Sequence, residues 1–252
     1  MVGIIEFEEN HEYHVDSDTR VIYVGDIHGE YDLLKRSLMT LGFNQYEDLL
    51  VSVGDLIDRG PDSLKVLDLF VRGDPEHFVS VRGNHEQFLV DCKFSLSSNM
   101  DWYANGGGWA HEVPKEVINE YRGLILERMP RSLSIHHHGR WYGVTHAGLP
   151  VEITNWDRAI GLLNDRNRAI AEEVLWTRDI IDCPEWYDKP EYTVHGVDYI
   201  IHGHTPLEEP MKIANRLYID TGATYGGDHG LTFLEFEDDG TPFYHTFKKE
   251  SK

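Results

Sequence analysis

Cysteine is scarce in this chain, and long apolar runs are missing. Only Cys92 and Cys183 occur among 252 residues, which is too few for a disulfide framework and lacks the paired spacing of a zinc or redox motif. No run reaches the roughly 18 apolar residues of a membrane-spanning helix. The N-terminal stretch MVGIIEFEENHEYH is acidic, whereas a secretory signal begins with basic residues. We therefore expect a cytoplasmic protein that does not associate with membranes.

Basic residues are also in deficit. The chain has 23 Lys and Arg against 44 Asp and Glu, a formal net charge of −21. Nucleic acids and anionic membranes bind basic surfaces, so this balance argues against both as partners. Internal repeats and low-complexity segments are missing as well, and no feature indicates an obligate protein partner. We expect one domain over residues 1–252, because a chain of this length can bury a sizeable core.

What the chain does contain is an ordered series of five short polar motifs. They are GDIHG (25–29), GDLIDRG (54–60), RGNHE (82–86), THAG (145–148) and HGHT (202–205). The first three follow the apolar runs VIYV, DLLVSV and HFVSV, which are typical of buried strands. The motifs therefore fall on loops at strand ends, where open α/β sheets gather their functional groups.

The order of the predicted elements indicates an α/β fold. Strands at 20–24, 49–53 and 79–81 each lead through a motif into a helical pattern, and such a βαβαβ unit implies a parallel sheet. Later patterns predict a helix at 114–128, a hairpin of 133–137 with 141–145, short helices and loops over 150–195, and strands at 198–201, 217–220, 231–236 and 243–247. The simplest assembly is an α/β sandwich of two mixed sheets flanked by helices, with the second sheet mainly antiparallel.

The motif residues match the requirements of a two-metal phosphoesterase site. Two divalent ions about 3.5–4 Å apart can clamp the attacking and leaving oxygens of a phosphoryl displacement, and they share a carboxylate. We expect Asp26 and His28 on one ion, Asp55 as the bridge, and Asn84, His146 and His204 on the second. Mixed oxygen and imidazole ligands suit manganese, iron or zinc better than calcium.

Three further motif residues are suited to the chemical step. Arg59 can form a bidentate fork on a phosphoryl group. His85, next to Asn84, is placed to be the general acid, and Asp58 can hold its imidazole protonated and oriented. The nucleophile is then a hydroxide that bridges the two metal ions, and no covalent phosphoenzyme is needed.

The motif set resembles the phosphoprotein phosphatase family of metallophosphoesterases, over residues 20–236. Within that family it is most similar to the branch of the bacteriophage lambda protein phosphatase, which it resembles also in NGGGW (105–109), LWTRD (175–179) and the run from HGHTP to YIDTGA (202–223). The resemblance implies a calcineurin-like fold, manganese as the preferred metal, and the same ligands and roles as above. It adds Arg178, in LWTRD, as a second phosphate-binding arginine. No ligand position departs from the family pattern.

Several functions are compatible with this resemblance. The first is a protein phosphatase acting on phosphoserine or phosphothreonine, and also on phosphotyrosine and small aryl phosphates. The alternative is a dinucleoside polyphosphate hydrolase of the diadenosine tetraphosphatase kind, although the resemblance associates GNHD with that group, where this chain has Glu86. Cyclic phosphodiesterases are a weaker choice. A binding protein without turnover is disfavoured by the intact His85, Asp58 and Arg59. The NGGGW segment is either a flexible turn or a loop at the substrate rim.

Overall fold

Two β-sheets packed face to face form the centre of the molecule in the computed structural model, which describes residues 8–92, 99–183 and 189–249. The eleven strands of the described chain are β1 Asn10–His14, β2 Val21–Val24, β3 Leu49–Ser52, β4 Phe78–Ser80, β5 Ser132–His137, β6 Arg140–Thr145, β7 Tyr199–His202, β8 Met211–Ile213, β9 Arg216–Tyr218, β10 Gly230–Phe236 and β11 Pro242–Lys248. One sheet has the order β11-β10-β2-β3-β4, and the other has the order β1-β5-β6-β7-β9-β8.

Helices cover the outer faces of both sheets. The α-helices are α1 Tyr31–Leu41, α2 Ser63–Val71, α3 Asn84–Asp91, α4 Met100–Ala104, α5 Lys115–Arg128, α6 Trp156–Asn164 and α7 Arg168–Trp176, with short 3-10 helices at Gly107–Glu112 and Pro190–Tyr192. Side chains of α1, α2, α3 and α5 share one apolar cluster with the outer face of the five-stranded sheet. Helices α6 and α7 pack in another cluster with Ile200 of the six-stranded sheet. The predicted α/β sandwich is confirmed.

The continuous apolar runs are explained by burial on both sheet faces. In β2, Ile22 and Val24 face the helices, whereas Val21 and Tyr23 face the second sheet. All four residues of β2 are buried. A strand that is covered on both sides has no solvent-facing positions, so its sequence does not alternate.

The parallel unit of the first ninety residues is confirmed, because β2 pairs parallel with β3 and β3 pairs parallel with β4. The C-terminal hairpin of β10 and β11 joins this first sheet, since β10 pairs antiparallel with β2. One detail of the predicted topology is wrong. The second sheet is mixed as predicted but not mainly antiparallel, because three of its five strand pairs, β1 with β5, β6 with β7 and β7 with β9, are parallel. Helices α6 and α7 lie between β6 and β7, and this helical connection permits the parallel pairing.

The five motifs lie where strands end. Strands β2, β3 and β4 end at Val24, Ser52 and Ser80, and the other sheet contributes the ends of β6 and β7 at Thr145 and His202. Backbone hydrogen bonds join the motif loops, for example from His28 N to the Asp55 carbonyl at 2.8 Å and from Gly203 N to the His146 carbonyl at 2.7 Å. Hydrogen bonds from His146 Nδ1 to the Val53 carbonyl and from His204 N to the Asp26 carboxylate join the loops of the two sheets, which therefore meet at one place. None of the helices in the described ranges is long and apolar enough to cross a membrane.

Candidate active site

Asp55 lies at the centre of the site and is shared by two clusters of ligand atoms. Within the described chain, the residues that could hold a metal ion form the groups His28, Asp55, His85 and Asp55, His146, His204, with ligand atoms inside each group lying within 4.8 Å of one another. The two oxygens of Asp55 point to different groups: Oδ2 is 3.5 Å from His28 Nε2, and Oδ1 is 3.3 Å from His146 Nε2. This is the arrangement that a bridging carboxylate requires.

The second cluster is completed by an amide oxygen. Asn84 Oδ1 lies 2.8 Å from His146 Nε2 and 3.1 Å from His204 Nδ1. Asn84 is the first residue of α3, so the chain turns directly from the end of β4 into the site. Two oxygens and two imidazole nitrogens therefore converge on one point, from Asp55, Asn84, His146 and His204.

Hydrogen bonds from the far side of the rings fix the tautomers of two histidines. His28 Nδ1 donates to the Ile57 carbonyl and His146 Nδ1 donates to the Val53 carbonyl, both at 2.8 Å. The Nε2 lone pair of each ring is therefore directed into the site, as in metal-binding histidines that donate their other N–H to a carbonyl. Burial lowers the pKa of His28 to about 3, which keeps this imidazole neutral and able to coordinate a cation.

Negative charge is concentrated around these lone pairs. Asp26, Asp55 and Asp220 are all buried, and burial together with the charges of Asp220 and Asp55 raises the pKa of Asp26 well above its usual range. Asp26 accepts hydrogen bonds from the His204 backbone N–H at 3.0 and 3.2 Å. Buried carboxylates that repel one another require nearby positive charge, and this donor set fits two divalent cations.

His85 and Asp58 form a buried pair beside the shared carboxylate. His85 Nδ1 donates to Asp58 Oδ2 at 2.7 Å, and both side chains are at most 1% exposed. Burial alone would lower the pKa of His85, but the charge of Asp55 and the hydrogen bond to Asp58 offset it, so that this pKa is raised. The Nδ1 atom is already engaged, which leaves Nε2 to face the site.

Two arginines border the cluster. Arg59 Nη1 donates to His28 Nε2 at 2.6 Å, and Nη2 donates to His85 Nε2 at 3.0 Å. On the other side, Arg178 Nε donates to Thr205 Oγ1 at 3.2 Å. Burial and the charge of His146 lower the pKa of His204 to about 3, and the charge of Arg178 adds to this effect while Asp55 opposes it. The structure therefore brings together every residue that the sequence nominates for the site, including Arg178.

The turns that carry these residues have unusual backbone geometry. Eight residues other than glycine have positive φ in the described chain, and five of them belong to the site: His28, Asp55, Asp58, Arg59 and His204. Positive φ is uncommon outside glycine, although Asp and His tolerate it better than most residues, and it clusters at functional sites. Here it occurs in the GDIHG, GDLIDRG and HGHT loops, directly after their strands.

Four residues that contact or border the site were not predicted from the sequence. Glu86 accepts hydrogen bonds from the backbone N–H groups of Asp55 at 2.9 Å, Leu56 at 2.8 Å and Gly83 at 2.9 Å, so it ties two motif loops together. The indoles of Trp102 and Trp109 both donate to Asp58. Asp220 lies just past the end of β9, and the same rule of strand ends could have found it.

Comparison with known proteins agrees with this geometry. Residues 19–208 match the model of the calcineurin-like phosphoesterase family. The chain is 36% identical over 214 residues to serine/threonine-protein phosphatase 1 of Salmonella typhimurium, with 84% of this chain and 90% of that protein covered. It is 28% identical over 227 residues to an asymmetrical bis(5'-nucleosyl)-tetraphosphatase of Oceanobacillus iheyensis, covering 82% of this chain and 85% of that protein.

A solved structure shows the same fold. A protein serine/threonine phosphatase from Saccharomyces cerevisiae superimposes with a TM-score of 0.69 over 98% of this chain and 85% of that one. The sequence identity is 14%, so this likeness concerns the architecture alone.

Proposed function

Because this chain belongs to the calcineurin-like phosphoesterase family, we propose that it is a metal-dependent protein phosphatase that hydrolyses phosphoserine and phosphothreonine monoesters, with phosphotyrosine and small aryl phosphates as further substrates. The observation that carries the proposal is Asp55, whose two carboxylate oxygens face separate ligand clusters. The His85–Asp58 pair beside Asp55 supplies the acid that cleavage of an ester requires.

The proposed ligand roles rest on the sequence motifs together with the contacts around Asp55. Asp26, His28 and Asp55 would hold one ion, and Asp55, Asn84, His146 and His204 would hold the other. When bound, two divalent ions supply a water molecule of lowered pKa as nucleophile and neutralise phosphoryl charge. Manganese is the proposed metal, because carboxylate, amide and imidazole donors together suit it; iron and zinc accept the same donors.

Arg59 and Arg178 hold the phosphoryl group. The Arg59 guanidinium spans His28 and His85, so a phosphate ester bound there lies within its reach. Phosphoryl oxygens are stronger acceptors than a neutral imidazole. We therefore expect Arg59 to turn to the ester when it binds, which leaves the His85 Nε2 atom for the leaving group.

His85 then protonates the departing alkoxide. Its Nδ1–H stays on Asp58 at 2.7 Å, which fixes the ring plane and stabilises the imidazolium. Once Arg59 has turned to the ester, His85 Nε2 takes up a proton from solvent, in line with the raised pKa of His85, and this proton passes to the leaving oxygen of the serine or threonine side chain as the P–O bond breaks. Alkoxides are poor leaving groups, so this transfer is worth about 10²–10⁴-fold in rate.

Hydrolysis of dinucleoside polyphosphates is the second candidate. It is supported by the nucleosyl-tetraphosphatase relative, whose identity of 28% is lower than the 36% of the serine/threonine phosphatase relative. The two reactions differ in the bond that breaks, an anhydride in one and a monoester in the other. A carrier that binds phosphate without turnover is the remaining reading.

The test is a side-by-side rate measurement. Protein that has been stripped of metal and reloaded with manganese is given a phosphoserine peptide and diadenosine tetraphosphate at equal concentrations, and phosphate and nucleotide products are quantified. We expect faster release from the peptide. Faster cleavage of the nucleotide would make the protein a polyphosphate hydrolase, and binding of phosphate without turnover of either compound would make it a carrier.

A further inference from the structure

The carboxylate of Asp58 is held from both sides by two tryptophans. Trp102 Nε1 donates to Oδ2 at 2.7 Å, and Trp109 Nε1 donates to Oδ1 at 2.6 Å. His85 Nδ1 shares Oδ2 at 2.7 Å, and the Asp58 residue is 0% exposed. Three N–H donors from three different segments therefore converge on one buried carboxylate.

This arrangement fixes the direction in which Asp58 points. A carboxylate with both oxygens bonded cannot rotate about its terminal torsion without losing a charge-assisted hydrogen bond. An indole N–H is a donor only, so neither tryptophan can accept a proton in place of His85. The geometry thus leaves a single orientation for the Asp58 carboxylate and, through it, for the His85 ring.

The glycines of the NGGGW segment allow the loop to close on the site. A Cβ atom at Gly106 would lie 2.6 Å from the backbone nitrogen of Arg59, and one at Gly107 would collide with the Trp102 indole. Gly106 also has a φ of +103°, a conformation that favours glycine. A side chain at either of these two positions would prevent the loop from placing Trp109 against Asp58.

We propose that Trp102 and Trp109 are positioning residues for catalysis, and that the NGGGW segment belongs to the general-acid machinery of this enzyme. The proposal rests on the assignment of His85 as the acid under the proposed function. Both tryptophans act through Asp58, and their effect is therefore confined to the step in which the leaving oxygen receives a proton.

Leaving-group dependence separates this role from a structural one. Trp109→Phe removes one N–H donor from a half-buried position and keeps the aromatic ring. For a phosphoserine peptide, whose alkoxide needs the proton, we expect kcat to fall roughly tenfold, a fraction of the usual worth of a general acid. For p-nitrophenyl phosphate, whose phenolate leaves without full protonation, we expect a change of less than about twofold. KM should stay the same for both substrates.

Trp156→Phe is the control for the loss of an indole donor, because Trp156 Nε1 donates to Ser134 Oγ at 2.8 Å, outside the site; since Trp156 is fully buried whereas Trp109 is half-buried, it is the more demanding test of purely structural damage. It should change neither kcat. In an Asp58→Asn background, Trp109→Phe should add little, since coupled residues are not additive. Trp102→Phe should follow the pattern of Trp109→Phe, and if it does not fold, the Trp109 variant alone decides.

The outcomes distinguish the two proposals. An equal loss of Trp109→Phe activity on both substrates, or full additivity with Asp58→Asn, would overturn the positioning role while the phosphatase assignment stands. If His85→Asn also fails to discriminate between the substrates, then the assignment of His85 as the acid is wrong. A wild-type protein without activity on either ester would contradict the proposed function itself.

Discussion

Asp55 is the side chain that both ligand clusters of the site share. One carboxylate oxygen faces His146 and the other faces His28. Burial would raise the pKa of Asp55, but the neighbouring histidines, His146 foremost, hold it well below its usual range. The group therefore stays ionised in a buried position, which a bridging ligand must do.

The Asp55→Asn substitution tests the bridging role of this carboxylate. The amide keeps one acceptor oxygen but loses the second oxygen and the negative charge, so one cluster loses its shared ligand and both lose the charge that would hold the two ions together. We expect the two ions to be lost together when metal content per chain is measured after dialysis. Loss of one ion with full retention of the other would contradict the bridging role.

The His85→Asn substitution tests whether His85 is the general acid. His85 falls within one of the two possible metal clusters, yet its Nδ1 atom is committed to Asp58. We expect kcat for a phosphoserine peptide to fall by about 10²–10⁴-fold, with the metal content unchanged. A variant that loses metal would place His85 among the ligands instead of the acids.

Loops at strand ends are the elements that build the site. Glu86 makes this possible, because its buried carboxylate accepts backbone N–H groups from both the 54–57 turn and Gly83. Burial and the charge of Asp55 raise the pKa of Glu86 to about 7. A short helix start at Asn84 and a turn at Asp55 are thus joined by one side chain, which sets the distance between the two ligands.

The close approach of Gly107 to the Trp102 indole is tested by Gly107→Ala. The added methyl group meets the Trp102 indole, whereas one at Gly108 meets nothing within 4 Å. We expect Gly107→Ala to lower the melting temperature and to reduce kcat on a phosphoserine peptide, because the loop must move away from Asp58. Gly108→Ala is the control and should retain both values. Equal behaviour of the two variants would show that the loop does not need this close approach.

Much of the order of strands and helices could be predicted from the sequence, and there are physical reasons why some contacts could not. Buried runs that end in Gly-Asp or Arg-Gly indicated the strand ends, and their parallel order followed from the helices between them. The contacts of Trp102 and Trp109 with Asp58 join positions 44 and 51 residues apart, and no periodicity signals such a pairing. The pairing of β10 with β2 could not be predicted either, since sequence patterns identify strands but not the strands that pair with them.

The charge of the whole molecule affects substrates before they reach the site. A net charge of −21 repels an anionic phosphopeptide, and salt screens that repulsion, with a Debye length of about 10 Å at 0.1 M. Attraction at the site comes from Arg59, Arg178 and the cations that the site would hold. Binding should therefore depend on the charge around the phosphoserine.

Two phosphoserine peptides of equal length, one flanked by acidic and one by arginine residues, test this prediction. Raising ionic strength from about 0.01 to 0.15 M should lower KM for the acidic peptide and raise it for the basic one, because screening weakens repulsion and attraction alike. The kcat values, which report the site, should hardly change. A KM that responds to salt equally for both peptides would point to a basic patch near the site.

A metal titration tests the central claim most directly, namely that five loops assemble one dinuclear phosphoesterase centre. Metal-stripped protein is titrated with Mn²⁺ while bound metal per chain and phosphate release from a phosphoserine peptide are followed in the same samples. The account predicts two ions per chain at saturation, with turnover that appears as the second ion binds. Saturation at one ion with full activity, or two bound ions without turnover, would contradict it.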